Sequence, residues 1–162
     1  MSMRLTIAAI GRLKAGPERE LYERYATRLD ALARTVALGP LRLVELGESR
    51  AGTAATRKDD EAARLIGKTT SASLRVALDE RGKAISSAEF STMLARHRDA
   101  GAAELAFLIG GPDGHGEAAI AAATVRLSLG PMTLPHGLAR IVLAEQIYRV
   151  ATILAGHPYH RD

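Results

Sequence analysis

Residues 104–109 read ELAFLI, five apolar side chains in a row behind one glutamate. A strand this apolar is stable only when both of its faces are covered, and the architecture that covers both is a parallel sheet between two layers of helix. The rest of the chain alternates to match. Leu5 to Ile10, Leu41 to Leu46, Leu74 to Leu78 and Val125 to Leu129 are further apolar runs of strand length. Between the strands lie segments of helical period. A helix opens after the Gly16-Pro17 break, sets Leu21, Tyr25, Leu29 and Leu32 on one face and reaches about Ala37. Gly47 to Thr56 reads as a loop, and Lys58 to Lys68 as a shorter helix with Ala62, Leu65 and Ile66 inward. Strand three ends at Asp79-Glu80-Arg81-Gly82. The capping box Ser86-Ser87-Ala88-Glu89 opens a helix to about His97, Glu117 to Thr124 forms a short one, and a last helix runs from about Leu138 to Ala155. The order βαβαβαβαβα, unbroken by repeat, linker or low-complexity tract, predicts one α/β domain over residues 1–162. It predicts a parallel sheet with helices on both faces, and ligands beyond the carboxyl ends of the strands.

A chain of 162 residues that is 47% apolar has enough material for a sizeable core. It contains no Cys, which excludes a disulfide framework, a Cys-ligated zinc and a thiol nucleophile. The first apolar run, Leu5 to Ile10, is too short for a signal segment or a membrane span, so no membrane association and a cytoplasmic location are expected. The net charge of +4 is compatible with a polyanionic partner. With no Trp and two Phe there is no aromatic platform for stacking bases, so a nucleic-acid surface would work by charge and shape.

Two strand-end loops stand out. Gly110-Gly111-Pro112-Asp113-Gly114-His115-Gly116 has the glycines that allow backbone to approach a ligand closely. It lacks the Gly-Lys-Ser/Thr of a phosphate loop, and Ala119 stands where GxGxxG requires its third glycine. A Rossmann phosphate loop would also follow the first strand, where only Ile10-Gly11-Arg12 occurs. Dehydrogenases and ordinary Rossmann methyltransferases are therefore disfavoured, and the loop reads either as a ligand cradle or as a plain glycine turn. Leu129 to His136 is apolar yet rich in Gly and Pro, which suits either backbone hydrogen bonding to a heterocycle edge or a buried connector.

The last helix carries two apolar faces, one with Leu138, Ile141, Val142, Tyr148, Ala151 and Thr152, the other with Leu143, Ile147, Val150 and Leu154. One face fits the sheet. The other fits a second subunit, with Glu145 and Arg149 paired at i,i+4, or a single thick core. Beyond it, His157, Pro158, Tyr159, His160 and Arg161 crowd the terminus with residue types suited to recognition or proton chemistry.

LIGGPDG (Leu108 to Gly114), MTLPH (Met132 to His136), AEQIYR (Ala144 to Arg149) and HPYHRD (His157 to Asp162) resemble the RlmH family of SPOUT-class enzymes. These are bacterial methyltransferases of pseudouridine N3 in large-subunit (23S) rRNA. IAAIGRLK and Leu78-Asp79-Glu80-Arg81-Gly82-Lys83 fit the same pattern, so the resemblance spans nearly the whole chain. It is weaker over Glu48 to Thr56, at His115-Gly116-Glu117 and at Gly130-Pro131. The resemblance implies a C-terminal trefoil knot, a homodimer, 23S rRNA within the ribosome as substrate, and S-adenosylmethionine (SAM) held at the knot. It places cofactor contacts at Leu78, Gly110 and Leu129, Gly130, Pro131, Met132, Thr133 and Leu134.

It also places the tail near the chemistry. Arg161 is then the candidate to stabilise an anionic base, Tyr159 to orient or relay a proton, and His160 to act as base. Arg161 and Tyr159 have plainer readings, as a phosphate contact and a packing anchor, and His136 reads as a prop for its loop or a contact to RNA rather than a catalytic group. His157 and His160 have only Asp162 as a further donor, so no metal is expected. His97, between Arg96 and Arg98, reads as a solvated helix end. Two alternatives stand beside the family's activity. One is a SPOUT enzyme methylating ribose 2′-oxygen on tRNA, and the other a basic dimer that binds the ribosome without modifying it.

Overall fold

The computed structural model describes residues 2–161. Its framework follows from the two most apolar strands. β1 (Met3–Ile10) is buried at all positions but one and β4 (Glu104–Ile109) at all six; they pair in parallel with Leu5 opposite Leu105 and Ile7 opposite Phe107. They occupy the interior of a five-stranded sheet of order β2-β1-β4-β3-β5 in which every pairing is parallel. β2 (Leu38–Leu46) and β5 (Val125–Ser128) are the edges, and β3 (Leu74–Ala84) lies between β4 and β5.

Side-chain alternation assigns the layers. Leu5, Ile7, Leu105 and Phe107 point into the larger core, closed by α1 (Pro17–Val36), α3 (Ser87–Asp99) and α5 (His136–Ala155). Ala8, Ile10 and Leu108 point the other way, onto Ala62 and Leu65 of α2 (Ala54–Gly67) and Ala119 of α4 (Glu117–Ala122). The capping box of α3 forms as its sequence predicts: Ser86 Oγ accepts the Glu89 N–H and the Glu89 carboxylate accepts the Ser86 N–H, both at 3.1 Å.

Several boundaries differ from the sequence reading. β2 starts at Leu38 rather than Leu41, because an edge strand tolerates Pro40; the register with β1 shifts between Met3 and Leu5 to pass it. α2 starts at Ala54, capped by Thr53, whose hydroxyl oxygen accepts the Thr56 N–H at 3.1 Å. β3 does not end at Leu78. The chain leaves the sheet there, opposite Leu127, and rejoins it at Lys83, again opposite Leu127, so that Asp79–Gly82 bow outward. Gly82 makes this possible, since a Cβ there would stand 2.7 Å from the backbone carbon and oxygen of Arg126.

α5 packs against β1 and β4 of the sheet and also against α1 and α3. Its second apolar face is therefore largely covered within the chain, and the two-faced pattern does not by itself require a second subunit. Among the described residues no helix is long and apolar enough to cross a membrane.

Candidate active site

The adjacent strands β4, β3 and β5 send their carboxyl ends to one place, where three loops enclose a cleft of about 800 Å³. That is within the size range of small-molecule sites, and the end of a parallel sheet is where such sites form.

The β3 bulge forms the first wall. Burial alone would push the Asp79 carboxyl up, but the Arg81 N–H at 3.0 Å and the Arg126 guanidinium at 2.7 Å outweigh it and hold the group below its ordinary range. Glu80 ties this wall to the third: its carboxylate accepts the Thr133 hydroxyl at 2.8 Å and its carbonyl the Ser128 hydroxyl at 3.2 Å.

The glycine loop after β4 forms the second wall. Gly111 and Gly114 bridge to each other in a tight turn, with Gly114 at φ 87°, and Asp113 is pinned by Arg57 at 2.8 Å. His115 Nε2 lies 3.1 Å from the Leu108 carbonyl. Because a carbonyl only accepts, the proton sits on Nε2, and Nδ1 is left as a buried acceptor without a partner. Burial pulls this imidazole's pKa down, so the neutral form is favoured.

The third wall is Leu129–Pro135. Ser128 Oγ accepts the Gly130 N–H at 3.0 Å, with Gly130 at φ 123°, and so sets the turn into this segment. Among the described residues the peptide groups of Met132 and Leu134 make no hydrogen bond at all, and those of Thr133 none either, although all three residues line the cleft. Unpaired peptide groups of this kind are available to the edge of a ligand ring.

His136 closes the cleft at the start of α5. Behind it Arg140, fully buried, donates to His136 Nδ1 at 3.0 Å, to Glu45 at 2.6 Å and to the Gly11 carbonyl at 3.1 Å. A guanidinium cannot accept, so His136 Nδ1 is the acceptor, the ring proton is on Nε2, and the imidazole offers a donor at the cleft wall. Burial pushes Glu45 up, but the Leu13 N–H, Arg19 and Arg140 together bring it below its ordinary value.

Of the residues singled out from the sequence, Leu78, Gly110, Leu129, Gly130, Met132, Thr133 and Leu134 line this cleft; Pro131 is not among the lining residues. The tail residues are elsewhere. Tyr159, His160 and Arg161 follow the far end of α5, whose 20 residues span about 30 Å at 1.5 Å per residue. There Tyr159 packs 4.7 Å from the Tyr148 ring, lies under the Arg149 guanidinium and donates to Glu145 at 2.8 Å. Burial and the bond to Glu145 push its phenol up, so it is held as a protonated donor. His160 and Arg161 border an open depression with Gly156, His157 and Pro158. Among the described residues no group of three His, Asp or Glu is placed to hold a metal, and Asp162, the third donor considered with His157 and His160, lies outside them.

Sequence reasoning missed Asp79, Glu80 and Arg81 as cleft residues by taking them as a strand end, although four polar or glycine residues at the carboxyl end of a strand were a visible signal. It also missed Arg140. A lone cation on an otherwise apolar helix stripe, between Gly137 and Ala144, was the available clue.

A family model described as "Predicted SPOUT methyltransferase" matches residues 3–160. Among curated relatives, "Ribosomal RNA large subunit methyltransferase H" of Sinorhizobium fredii is 52% identical over 98% of this chain and 99% of its own length. The proteins of the same name from Bradyrhizobium sp. and Brucella anthropi are 50% and 48% identical, each over 99% of this chain and 99% and 100% of their own lengths. Among solved structures, a probable methylase family protein from Haemophilus influenzae superposes over 100% of this chain and 72% of its own with a TM-score of 0.53 at 14% identity, a likeness of fold alone. With its parallel sheet, its strand-end cleft and a family match over almost all of its length, the chain belongs to the SPOUT methyltransferase family.

Proposed function

We propose that this protein transfers a methyl group from SAM to N3 of a pseudouridine in the 23S rRNA of the assembled ribosome, acting in the cytoplasm as a homodimer. The observation that carries the reading is the convergence of three strand-end loops on one cleft lined by unpaired peptide groups, in a chain whose relatives of equal length are named for large-subunit rRNA methylation. The lining fits SAM. The free peptide groups of Met132–Leu134 suit an adenine edge, Gly110 lets backbone come close, and Leu78, Leu129 and Leu134 supply an apolar bed. The resemblance to the family supports a trefoil knot made by the segment around β5 and α5.

When bound, SAM supplies a methyl group made electrophilic by the neighbouring sulfonium. The protein's task is to hold the base in line and to stabilise it once N3 has lost its proton. Arg161 is the cation for that anionic base, His160 the base that takes the proton, and Tyr159 the anchor that fixes both through Glu145. The helix length bears on how they reach the cleft. With α5 separating the tail from its own cleft by about 30 Å, a second copy of the chain is the natural source of the tail. Met132, Leu134 and Leu138, the exposed large apolar side chains among the described residues, stand at and beside the cleft and offer a surface for that copy.

The test is mass spectrometry of rRNA nucleosides after incubation of the protein with SAM and ribosomes lacking the modification. N3-methylpseudouridine should appear in 23S rRNA. Its absence with folded, SAM-binding protein would overturn the substrate assignment, and a methylated ribose would replace it with the 2′-oxygen activity.

A further inference from the structure

The loop after β1 is not absorbed by the cleft chemistry, yet it is built with unusual care. Gly11 donates to the Leu46 carbonyl at 2.6 Å and its own carbonyl accepts from Arg140. The Leu13 N–H donates to Glu45 at 2.7 Å, and its carbonyl accepts from Arg19 at 3.0 Å. The Leu13 side chain is buried, 4% exposed, between two exposed neighbours, Arg12 and Lys14. A fixed backbone with a buried residue between two exposed ones puts both cations on the outer side, about 7 Å apart in extended chain.

Among the described residues neither cation makes an ion pair or a hydrogen bond. Glu45, the acid bound to this loop, already serves Arg19 and Arg140. Glu18 rests against Gly137 in the first turn of α5, where the positive end of the helix attracts it. The loop also abuts the cleft. A Cβ on Gly11 would lie 2.6 Å from the ring of His136, and Ile10 touches Gly111 of the glycine loop.

We propose that Arg12 and Lys14 grip two backbone phosphates of the substrate rRNA strand next to the nucleoside in the cleft, and so position the RNA without taking part in the chemistry. This rests on the methyltransferase reading for the identity of the RNA. Two cations held outward by a fixed loop need no backbone ordering to meet a partner, and the nearest polyanion in an rRNA complex is the phosphate chain.

The test is the salt dependence of binding to ribosomes, measured by co-sedimentation across a KCl series, with wild type, Arg12→Gln/Lys14→Gln and Arg12→Lys. Each phosphate contact contributes about 0.7–0.9 to the slope of log K against log salt. The double variant should therefore lose about 1.4–1.8 from the slope and bind about 25- to 60-fold more weakly at 0.1 M salt. Its KM for ribosomes should rise while kcat and SAM affinity stay at wild-type values, and Arg12→Lys should keep the slope. An unchanged slope in the double variant, or a wild type that does not bind ribosomes, overturns the proposal. A wild type that binds ribosomes but leaves no methyl group sinks the methyltransferase reading alone, because the slope still reads the two cations.

Discussion

Replacing Arg140 by Met removes the guanidinium that joins the β1 loop, β2 and the start of α5, while nearly preserving volume. Three buried or half-buried acceptors lose a donor: Glu45 at 2.6 Å, His136 Nδ1 at 3.0 Å and the Gly11 carbonyl at 3.1 Å. Breaking a buried ion pair from one side costs about 3–5 kcal/mol. Glu45 keeps the Leu13 N–H at 2.7 Å and Arg19 at 2.9 Å, which places the loss at the lower end, about 3 kcal/mol. For a domain of this size that is a fall in Tm of about 6–12 °C. Thermal unfolding of Arg140→Met, Glu45→Gln and the double variant decides it. Once the carboxylate is neutral there is no stranded charge, so the double variant should be more stable than the sum of the single losses by about 1–3 kcal/mol. A Tm within about 2 °C of wild type for Arg140→Met, or strict additivity in the cycle, would show that the network does not hold the cleft wall.

Acid should weaken the fold through this network and through the β3 bulge. Glu45 and Asp79 both titrate below their ordinary values of 4.5 and 3.8, so their stabilisation is complete above those values and is lost as pH falls through the lower folded ones. Urea midpoints should hold near neutrality and decline below about pH 4.5, less steeply in Glu45→Gln; equal declines would remove Glu45 from the account. Gly82→Ala places a Cβ 2.7 Å from the Arg126 backbone and should lower stability by about 1–3 kcal/mol and weaken SAM binding. Gly52→Ala, with open space around it, serves as the neutral control, and similar melting and calorimetric behaviour of the two would show that the bulge does not need its glycine. Arg161→Ala should lower the methylation rate far more than SAM affinity, and equal losses in both would assign that residue to architecture rather than chemistry.

The sheet was legible because its physics is local. ELAFLI demands cover on both faces, and the alternation of Leu5, Ile7 and Ala9 against Ala8 and Ile10 repeats that demand in β1. The glycine and Gly-Pro loops were legible as candidate walls for the same reason, since chain conformation limits what such residues do. What stayed hidden depended on distant partners. Nothing near Asp79 in sequence announces that the chain returns to Leu127 four residues later, because the bulge is set by Gly82 meeting Arg126 across the sheet. Arg140 was hidden because, His136 apart, its acceptors come from residues 10–45, some hundred positions away. Tyr159 was singled out for its chemistry, and the fold shows it first as a donor to Glu145 and a neighbour of Tyr148, which fixes the tail at the end of α5 opposite the cleft.

The most direct test of the central claim is a crystal structure of the protein with S-adenosylhomocysteine. The ligand should lie among Gly110, Leu129 and Met132–Leu134, with Arg161 of a second copy turned toward its sulfur. A ligand lodged outside these three loops, or tails pointing away from the cleft in every copy of the assembly, would contradict it.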